Sequence, residues 1–464
     1  MFPIPAAAEP LVQAIQNADV FTRPTVERFI QLMMGLIVTA GRHTVSRALR
    51  IVQPLIDGHW CNYHRLYSQA RFSMWQLGLA LTRQVVVGLL APDEPIILIA
   101  DDTVDGKDGD HVWAKGAWRD PTRSTRSRMQ VRFGHKWLVL CILVQLPLTH
   151  RPWALPVLCG MCCSEKVAKK AKCRPRSASQ VTLGLLQKMM RWFPARRFIL
   201  LADARAVSHY VACFAHQHRR QVTLISRMRS DANLYDPPAN PQLHTRGGRC
   251  ARKGRKQKLP RERVDQLPQH EDEIAWYGSS RRTVKYQGDS GYWFNKHGHG
   301  ARHRVVPIRW VCVRGDKKQQ LEDAYFYSTD LQLQPKRIIE LYAMRWNIEV
   351  TFEEAQGLLG LETTRHWCRQ SVLRAWPILL GLFTVVSLIW KELSKNQKPQ
   401  MLSQTPCYQK QDMTFADVLY LVRRELWQQS VLSQVSGHQR PERCLSSIPE
   451  PLRSIVLNHL AAAA

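Results

Sequence analysis

Two apolar stretches that each end in an acid determine the fold prediction: PIILIADD at residues 95–102 and RFILLAD at residues 197–203. Each is a short uninterrupted apolar run bounded by charged or turn residues, which is typical of a strand buried on both faces. Asp101 and Asp102 end the first run, and Asp203 ends the second. Because ligands gather beyond the carboxyl ends of strands in such sheets, we expect the acids to lie close together if the strands are neighbours.

Further strands and helices surround these two runs. Apolar runs of strand length occupy 136–146 and 153–162, and another follows at 221–225. Helical patterns occupy 179–192 and 207–218. Three strands, a helix, a strand, a helix and a strand predict an α/β fold, in which a mixed sheet carries helices on its faces.

The N-terminal region is predicted to be helical, and it contains a possible DNA-binding motif. A Gly-Arg-His break at 41–43 separates an apolar helical run, 28–38, from a second helix at 45–52 that Thr44 would cap. This pattern fits a helix-turn-helix as well as an ordinary helical hairpin. A further helix is expected from about residue 63 to residue 90.

The whole chain is predicted to divide into five regions. Strands at 284–286, 302–314 and 324–328 make the segment before the last helices β-rich. The regions are a helical N-terminal DNA-binding region (1–90), the first part of the core (91–228), a basic, β-rich insertion (229–333), the second part of the core (334–395) and a C-terminal helical region (396–464).

The charge of the chain indicates a polyanionic partner. Its 464 residues include 66 Lys and Arg against 37 Asp and Glu, a net charge of +29. Clustered cations displace counterions from phosphates, so nucleic acid fits this surplus better than a membrane, for which no basic amphipathic anchor is present. Within the insertion, residues 246–263 carry nine cations and one acid, which predicts either a solvated loop or a DNA-tracking loop. The DNA contacts predicted there are Arg252, Lys253, Arg255 and Lys256.

Cysteine content and apolar segments indicate a reducing, cytoplasmic location. Twelve cysteines in a chain of this length are too few for a disulfide scaffold, and the N-terminus lacks the basic segment of a signal peptide. The longest uncharged apolar run, 375–390, is shorter than the roughly 20 residues of a membrane span and predicts a buried core helix. Cys159, Cys162 and Cys163 are poor candidates for zinc because successive strand residues face opposite sides.

The helix that Pro335 begins carries a third acid. On one continuous helix reaching about Gln356, Tyr342, Arg345 and Glu349 would share a polar stripe beside the apolar face. Glu353 lies on the same stripe and is the alternative acid. Three carboxylates in a field that attracts phosphate are what a Mg²⁺ site for phosphodiester chemistry requires.

At these residues the sequence resembles a known family. Tyr342-x2-Arg345-x3-Glu349 matches the start of the Y-x2-R-x3-E-x6-K signature of bacterial insertion-sequence DDE transposases of the cut-and-paste group. The Asp-Asp-Thr that contains Asp102 resembles the first catalytic motif of the family, and Leu-Leu-Ala-Asp203 resembles the second. The resemblance covers roughly residues 60–430. The family lysine is replaced by glutamine at position 356, which puts one phosphate contact in doubt.

The resemblance implies an RNase H-like catalytic core and an enzyme that cuts the ends of its mobile element and joins the 3′-hydroxyl ends to target DNA. Asp102, Asp203 and Glu349 would be both catalytic residues and ligands of two Mg²⁺ ions, with Mn²⁺ able to substitute. Asp101 is the alternative to Asp102. Arg345 would clamp a phosphate and Tyr342 would pack against it. The partners would be the terminal inverted repeats and target DNA, in the nucleoid of a bacterial cytoplasm.

The implied enzyme would work as a homodimer on DNA. The candidate subunit contact is an apolar stripe of Phe415, Val418, Leu419 and Val422 on a helix after Thr414, although the stripe would equally pack on its own core. Family members hold DNA with the inserted segment, where Trp276, Trp293 and Trp310 are candidates for stacking on a base.

Two other functions remain open on the sequence alone. His216-x2-Arg219, with Tyr408 or Tyr420 as nucleophile, resembles an element of tyrosine recombinases, but that motif arises easily by chance. The second alternative is a catalytically dead basic DNA-binding protein. The sequence contains no G-x4-G-K-[ST] loop and no H-E-x2-H motif, which argues against an NTPase and a zinc metalloprotease.

Overall fold

The computed structural model describes residues 4–53, 56, 58–120, 124–125, 127–237, 253–276, 280–295, 305–315, 322–395, 404–405, 408–410 and 412–435. The helices are α1 (Glu9–Asn17), α2 (Arg23–Val38), α3 (Val45–Ile51), α4 (Cys61–Ser68), α5 (Met74–Leu89), α6 (Glu165–Ala171), α7 (Ala178–Trp192), α8 (His209–Gln217), α9 (Pro260–Arg263), α10 (Pro335–Ala343), α11 (Asn347–Leu358), α12 (Arg369–Leu393) and α13 (Phe415–Val435). The strands are β1 (Ile96–Gly106), β2 (Gly116–Arg119), β3 (Val131–Val144), β4 (Trp153–Cys162), β5 (Phe198–Ala202), β6 (Val222–Met228), β7 (Leu234–Tyr235), β8 (His270–Ala275), β9 (Arg281–Trp293), β10 (Val306–Val313), β11 (Ala324–Ser328), β12 (Gln404–Thr405) and β13 (Tyr408–Gln409).

A mixed sheet forms the centre of the molecule. Its core strands lie in the order β4-β3-β1-β5-β6, in which β3 is antiparallel to β1 and to β4, while β5 and β6 run parallel to β1. Three antiparallel strands followed by two parallel ones, with helices on both faces, is an RNase H-like arrangement. The predicted fold class is therefore confirmed.

The insertion continues the same sheet. β11 pairs antiparallel with β6, and β10, β9 and β7 follow in that order, with β8 on the other part of β9. β9 is much longer than the strand predicted at 284–286, and β8 was not predicted. β8 is mostly exposed, with Ile274 as its buried residue, and β9 mixes exposed charged residues with buried ones, so neither has the continuous apolar run that marked the core strands.

Opposite faces of the sheet carry different helices. Gly160 on β4 faces Val181 of α7, where an added Cβ would lie 2.5 Å from the valine side chain. On the other face, Trp137 of β3 stacks on Trp376 of α12 with 4.9 Å between ring centroids. α12 is long and apolar enough to cross a membrane by length and composition alone, but 72% of its most apolar window is buried inside the protein, as the sequence predicts.

The flanking helices α4 and α5 pack against α12, and α3 packs against α2. α3 begins as predicted, with the Thr44 hydroxyl accepting the N–H of Arg47. The helix predicted over 63–90 is two helices, α4 and α5, and Ser73 caps the second.

The apolar side of α13 is part of the core of its own chain. Phe415, Val418 and Val422 are fully buried, and Arg423 donates to the carbonyl oxygens of α2 residue Ile37 and of the residue after that helix. The hypothesis that this stripe is a contact between subunits is therefore wrong. The competing expectation, that the helix folds back, describes the structure.

Candidate active site

Three side chains stand in a row just after the last paired residues of the parallel strands β1, β5 and β6. Ala100 of β1 pairs with Ala202 of β5, so Asp101 and Asp203 follow side by side. Ala202 also pairs with the residue before Arg227 on β6, which extends the row to a third strand. The expectation that the two strands are neighbours and bring their acids together is confirmed by this register.

Asp101, and not Asp102, faces the helix that carries the third acid. Successive residues of a strand point to opposite faces of the sheet. Arg345 donates from Nη1 to Oδ2 of Asp101 at 2.5 Å, whereas Oδ2 of Asp102 pairs with Nζ of Lys136 at 2.8 Å on the opposite face. The choice of Asp102 over Asp101 for the acid cluster is therefore corrected.

A break in the predicted helix positions Tyr342, Arg345 and Glu349. α10 ends at Ala343, a 3-10 turn spans Met344–Trp346, and α11 begins at Asn347. The single helix predicted from Pro335 to Gln356 is thus two helices. The turn carries Arg345, whose Nη2 donates to Oε1 of Glu349 at 2.5 Å.

Tyr342 reaches the second acid from the end of α10. Its hydroxyl donates to Oδ1 of Asp203 at 3.4 Å, a long contact. Its ring packs on Phe326 of β11 with 4.3 Å between centroids, and the Arg345 guanidinium lies 5.6 Å from the ring centroid. Tyr342 and Arg345 thus link both strand-end acids to Glu349.

Burial sets the electrostatics of the cluster. Burial raises the pKa of Asp101 from 3.8 to about 6; the charge of Arg345 lowers it, and that of Asp203 adds to the rise. Burial also raises the pKa of the Tyr342 phenol well above its ordinary value. Burial disfavours the charge of Arg345, but Asp101, Tyr342 and Glu349 outweigh it, so the pKa of Arg345 rises and the guanidinium stays charged.

The donor atoms of the cluster suit a divalent metal ion, although a cation of the protein already lies between two of them. Carboxylate oxygens are the ligands that Mg²⁺ prefers. In the described residues no three His, Cys, Asp or Glu side chains form a group that could hold an ion as they stand. Arg345, only 13% exposed, is the cation that Asp101 and Glu349 share.

The other positions of the predicted polar stripe form no hydrogen bond or ion pair with the cluster among the described residues. Glu353 and Gln356 are exposed on α11. Glu354 is the more buried acid of this helix, and burial raises its pKa to about 7 against the opposing charge of Arg151. The arrangement therefore favours Glu349 over Glu353 as the acid of the cluster.

The described part of the basic loop, from Lys253 onward, lies at the other end of the sheet. Arg252 falls outside the described residues. Nζ of Lys253 lies 4.1 Å from the centroid of Tyr235 on β7 and 4.9 Å from that of Phe294, so this cation packs on aromatic rings. Arg255 and Lys256 are exposed. Because β6, β11, β10 and β9 separate β5 from β7, these residues are not part of the acid cluster.

Tryptophan burial restricts the stacking hypothesis. Trp310 is fully buried and therefore cannot stack on a base. Trp293 is partly buried and packs edge-on against His209 and Tyr327. Trp276 is partly buried beside the Arg282 guanidinium, 5.3 Å from the ring centroid.

Sequence reasoning missed Arg227 as a site residue. The strand was predicted to stop at residue 225, before the position that the parallel register places next to Asp203. Arg227 is exposed, forms no ion pair with any residue of the described ranges, and its charge lowers the pKa of the nearby Tyr342 phenol. Ile225 pairs with Leu201, and Arg227 follows Ile225 by two residues as Asp203 follows Leu201. This equal spacing is the signal that would have identified Arg227.

The residues of the recombinase alternative do not converge. His216 and Arg219 lie at the end of α8 and just after it, before β6 begins, whereas the acids lie beyond the opposite ends of the strands. Tyr420 is on α13, and the side chain of Tyr408 falls outside the described residues. Cys163 and Cys173 have sulfur atoms 3.5 Å apart, but they belong to no metal-binding group within the described ranges.

Comparisons with known proteins identify the family of the chain. The family model "DDE superfamily endonuclease" matches residues 18–283, more than half of the chain, and "Archaeal putative transposase ISC1217" matches residues 305–393. Among solved structures, the chain is similar to a piggyBac transposase synaptic complex with hairpin DNA, at 9% identity and a TM-score of 0.43 over 99% of this chain and 83% of that one. A search of curated proteins found no match. The chain therefore belongs to the DDE superfamily of endonucleases, as a transposase of the DDE type.

Proposed function

We propose that this protein cuts DNA at the ends of its mobile element and joins the 3′-hydroxyl ends to target DNA. The observation that carries the proposal is the convergence of Asp101, Asp203 and Glu349 at the carboxyl edge of two parallel strands, linked by Tyr342 and Arg345. Asp102 is replaced by Asp101 in this assignment because it pairs with a lysine on the opposite face.

The three acids of the cluster would hold divalent metal ions. DDE nucleases generally use such ions, and here they would be two Mg²⁺ ions, with Mn²⁺ able to substitute. The ions would activate water or a 3′-hydroxyl and stabilise the leaving oxygen.

Arg345 has a different role from the one the resemblance implies. Both of its Nη groups already bond to Asp101 and Glu349, so it neutralises and orients the acids rather than reaching a phosphate. Tyr342 orients Asp203 in the same way. We assign the phosphate contact beside the acids to Arg227, which is exposed and lies next to Asp203 on the neighbouring strand β6.

The proposed partners are the terminal inverted repeats and target DNA, in the nucleoid of a bacterial cytoplasm. The net charge of +29 supports a nucleic-acid partner. We also propose that two copies act together, because both ends of an element must be cut for it to move. The seam between those copies lies elsewhere than on α13, whose apolar side is buried.

A plasmid cleavage assay tests the proposed function. A supercoiled plasmid carrying the gene with its native flanking DNA should be cut with Mg²⁺ and left intact in EDTA. Asp101→Asn, Asp203→Asn and Glu349→Gln should each abolish cutting, whereas the matched changes Asp102→Asn and Glu353→Gln should leave it. Cutting in EDTA with protein covalently attached to DNA would identify a tyrosine recombinase instead. Binding without any cutting would identify a DNA-binding protein.

A further inference from the structure

A dense group of cations lies outside the site described so far. Residues 165–176, called here the α6 basic segment, comprise α6 and the loop that leads to α7. This segment has one acid, Glu165, and six cations, all exposed: Lys166, Lys169, Lys170, Lys172, Arg174 and Arg176.

The cations of the α6 basic segment are not neutralised within the protein. None of the six forms an ion pair with a residue in the described ranges. Some exposed cations elsewhere are paired across strands, as Arg281 is with Glu273 and Lys285 is with Glu271. Six like charges within eleven residues repel each other, so their grouping favours an external polyanion.

The α6 basic segment is held firmly although its charged side chains are exposed. Cys163 and Arg176 exchange two backbone hydrogen bonds of 2.9 Å, which close the segment at its base. The indole N–H of Trp113 donates to the carbonyl oxygen of Ala171 at 3.3 Å. Val167 faces Gly116 of β2, where an added Cβ would lie 3.1 Å away. A segment anchored in this way presents its charges in a fixed arrangement.

The segment begins at the same edge of the sheet as the acids. It follows β4, whose last residue Cys162 pairs with Lys136 on β3, and Lys136 contacts Asp102 on β1. Asp101 is level with Cys159 of β4, three residues before the end of that strand. Two strand spacings across the sheet and three residues along it therefore separate the base of the segment from Asp101, about 14 Å. Since each strand of duplex DNA places one phosphate every ~3.4 Å along the axis, this distance corresponds to about four phosphates.

We propose that the α6 basic segment binds the phosphate backbone of the DNA that flanks the cleavage position. The inference rests on the proposed function, because that function places DNA at Asp101, Asp203 and Glu349. The acid cluster opens on one face of the sheet and α6 lies towards the other, so the bound DNA would cross the edge of the sheet. The contact would be independent of base sequence, since Lys side chains bind phosphates as point charges.

The salt dependence of DNA binding tests the proposal. The variant carries Lys166→Gln, Lys169→Gln, Lys170→Gln and Lys172→Gln. The control carries Arg191→Gln, Arg197→Gln, Arg219→Gln and Arg220→Gln, four exposed cations near the opposite ends of the strands. Binding to a mixed-sequence duplex of about 30 base pairs is measured in EDTA from 50 to 200 mM salt, the range over which phosphate contacts dominate.

We expect the slope of log affinity against log salt to become shallower by up to about 3.6 in the α6 variant, at about 0.9 for each lost phosphate contact. The control should change much less, and both proteins should unfold at the temperature of the wild type because the altered side chains are exposed. An unchanged slope in the α6 variant, or equal changes in both proteins, would overturn the inference.

A second measurement places the contact. Neutral methylphosphonates within about four phosphates of the cut should weaken binding of the wild type much more than binding of the α6 variant. Equal weakening would also overturn the inference. If the wild type cuts DNA and the α6 variant has the wild-type salt slope, only this inference is refuted. If the two proteins show the expected salt slopes but the wild type never cuts DNA, only the proposed function is refuted.

Discussion

Replacing Asp101 should remove activity and increase stability in the same protein. Burial raises the pKa of this carboxyl from 3.8 to about 6, so the folded protein holds the proton more tightly than the unfolded chain. The resulting stability is fully present below about pH 4 and is lost as the pH rises through about 6. At about 1.4 kcal/mol for each pH unit, the loss reaches about 3 kcal/mol at pH 7.5.

Asp101→Asn keeps the shape of the side chain and removes its charge, so it should avoid this loss. We expect the variant to be more stable than the wild type by up to about 3 kcal/mol at pH 7.5, and by little at pH 4. Plasmid cutting should be abolished, because the substituted amide lacks the charge that a metal ligand supplies.

Asp102→Asn is the matched control, and it should have the opposite effects. The change leaves the ammonium of Lys136, 21% exposed, without its carboxylate partner. Removing one member of a partly buried pair costs about 1–3 kcal/mol. Cutting should persist, since this side chain lies on the other face of the sheet.

Urea unfolding of the wild type and both variants at pH 4.5, 6 and 7.5, together with the plasmid assay, measures all four outcomes. The reasoning is refuted if Asp101→Asn still cuts DNA, or if it is less stable than the wild type at pH 7.5. Loss of cutting in Asp102→Asn, with Asp101→Asn active, would restore Asp102 as the first acid.

Three further outcomes follow from the contacts above. Trp376→Ala removes the ring stacked on Trp137 in the buried interface of α12, and urea unfolding should show a loss of about 3–5 kcal/mol. Burial lowers the pKa of His135 from 6.5 to about 4, although the hydrogen bond to the carbonyl of Trp113 raises it. The stability that is present above pH 6.5 is therefore lost as the pH falls towards 4. Between pH 7 and pH 4, His135→Gln should lose about 3 kcal/mol less stability than the wild type in the same assay. Arg227→Gln should slow plasmid cutting by about 10-fold to 100-fold, as expected for a lost charge-assisted hydrogen bond, and Arg227→Lys should recover part of the rate; cutting at the wild-type rate in Arg227→Gln would remove this residue from the site.

The sequence allowed the acids of the site to be predicted, but not the direction in which each side chain points. Asp101 and Asp102 lie within β1, directly after its first part, Ile96–Ala100, which is apolar without alternation and largely buried. The period-2 pattern that would assign faces is therefore missing, and neighbouring acids look equivalent. Tertiary contacts distinguish them, since Arg345 and Lys136 approach from opposite sides.

The break between α10 and α11 was not predictable from local preferences either. Met344–Trp346 contains neither glycine nor proline, and nothing in the segment marks a change of helical pitch. Arg345 within the turn bonds to an acid 244 positions earlier in the chain as well as to Glu349. A contact at such sequence distance leaves no trace in a helical periodicity.

The continuity of the sheet through the insertion affects how the protein is made. β6 ends at Met228, and its antiparallel partner β11 begins at Ala324, about a hundred residues later. At 5–20 residues per second, the ribosome takes about 5 to 20 s to supply that partner. Throughout this interval a nascent chain that already contains both strand-end aspartates exposes an unpaired strand edge, which can pair with other chains. A fragment ending before β11 should therefore aggregate rather than fold, so protein engineers cannot separate the catalytic half from the insertion.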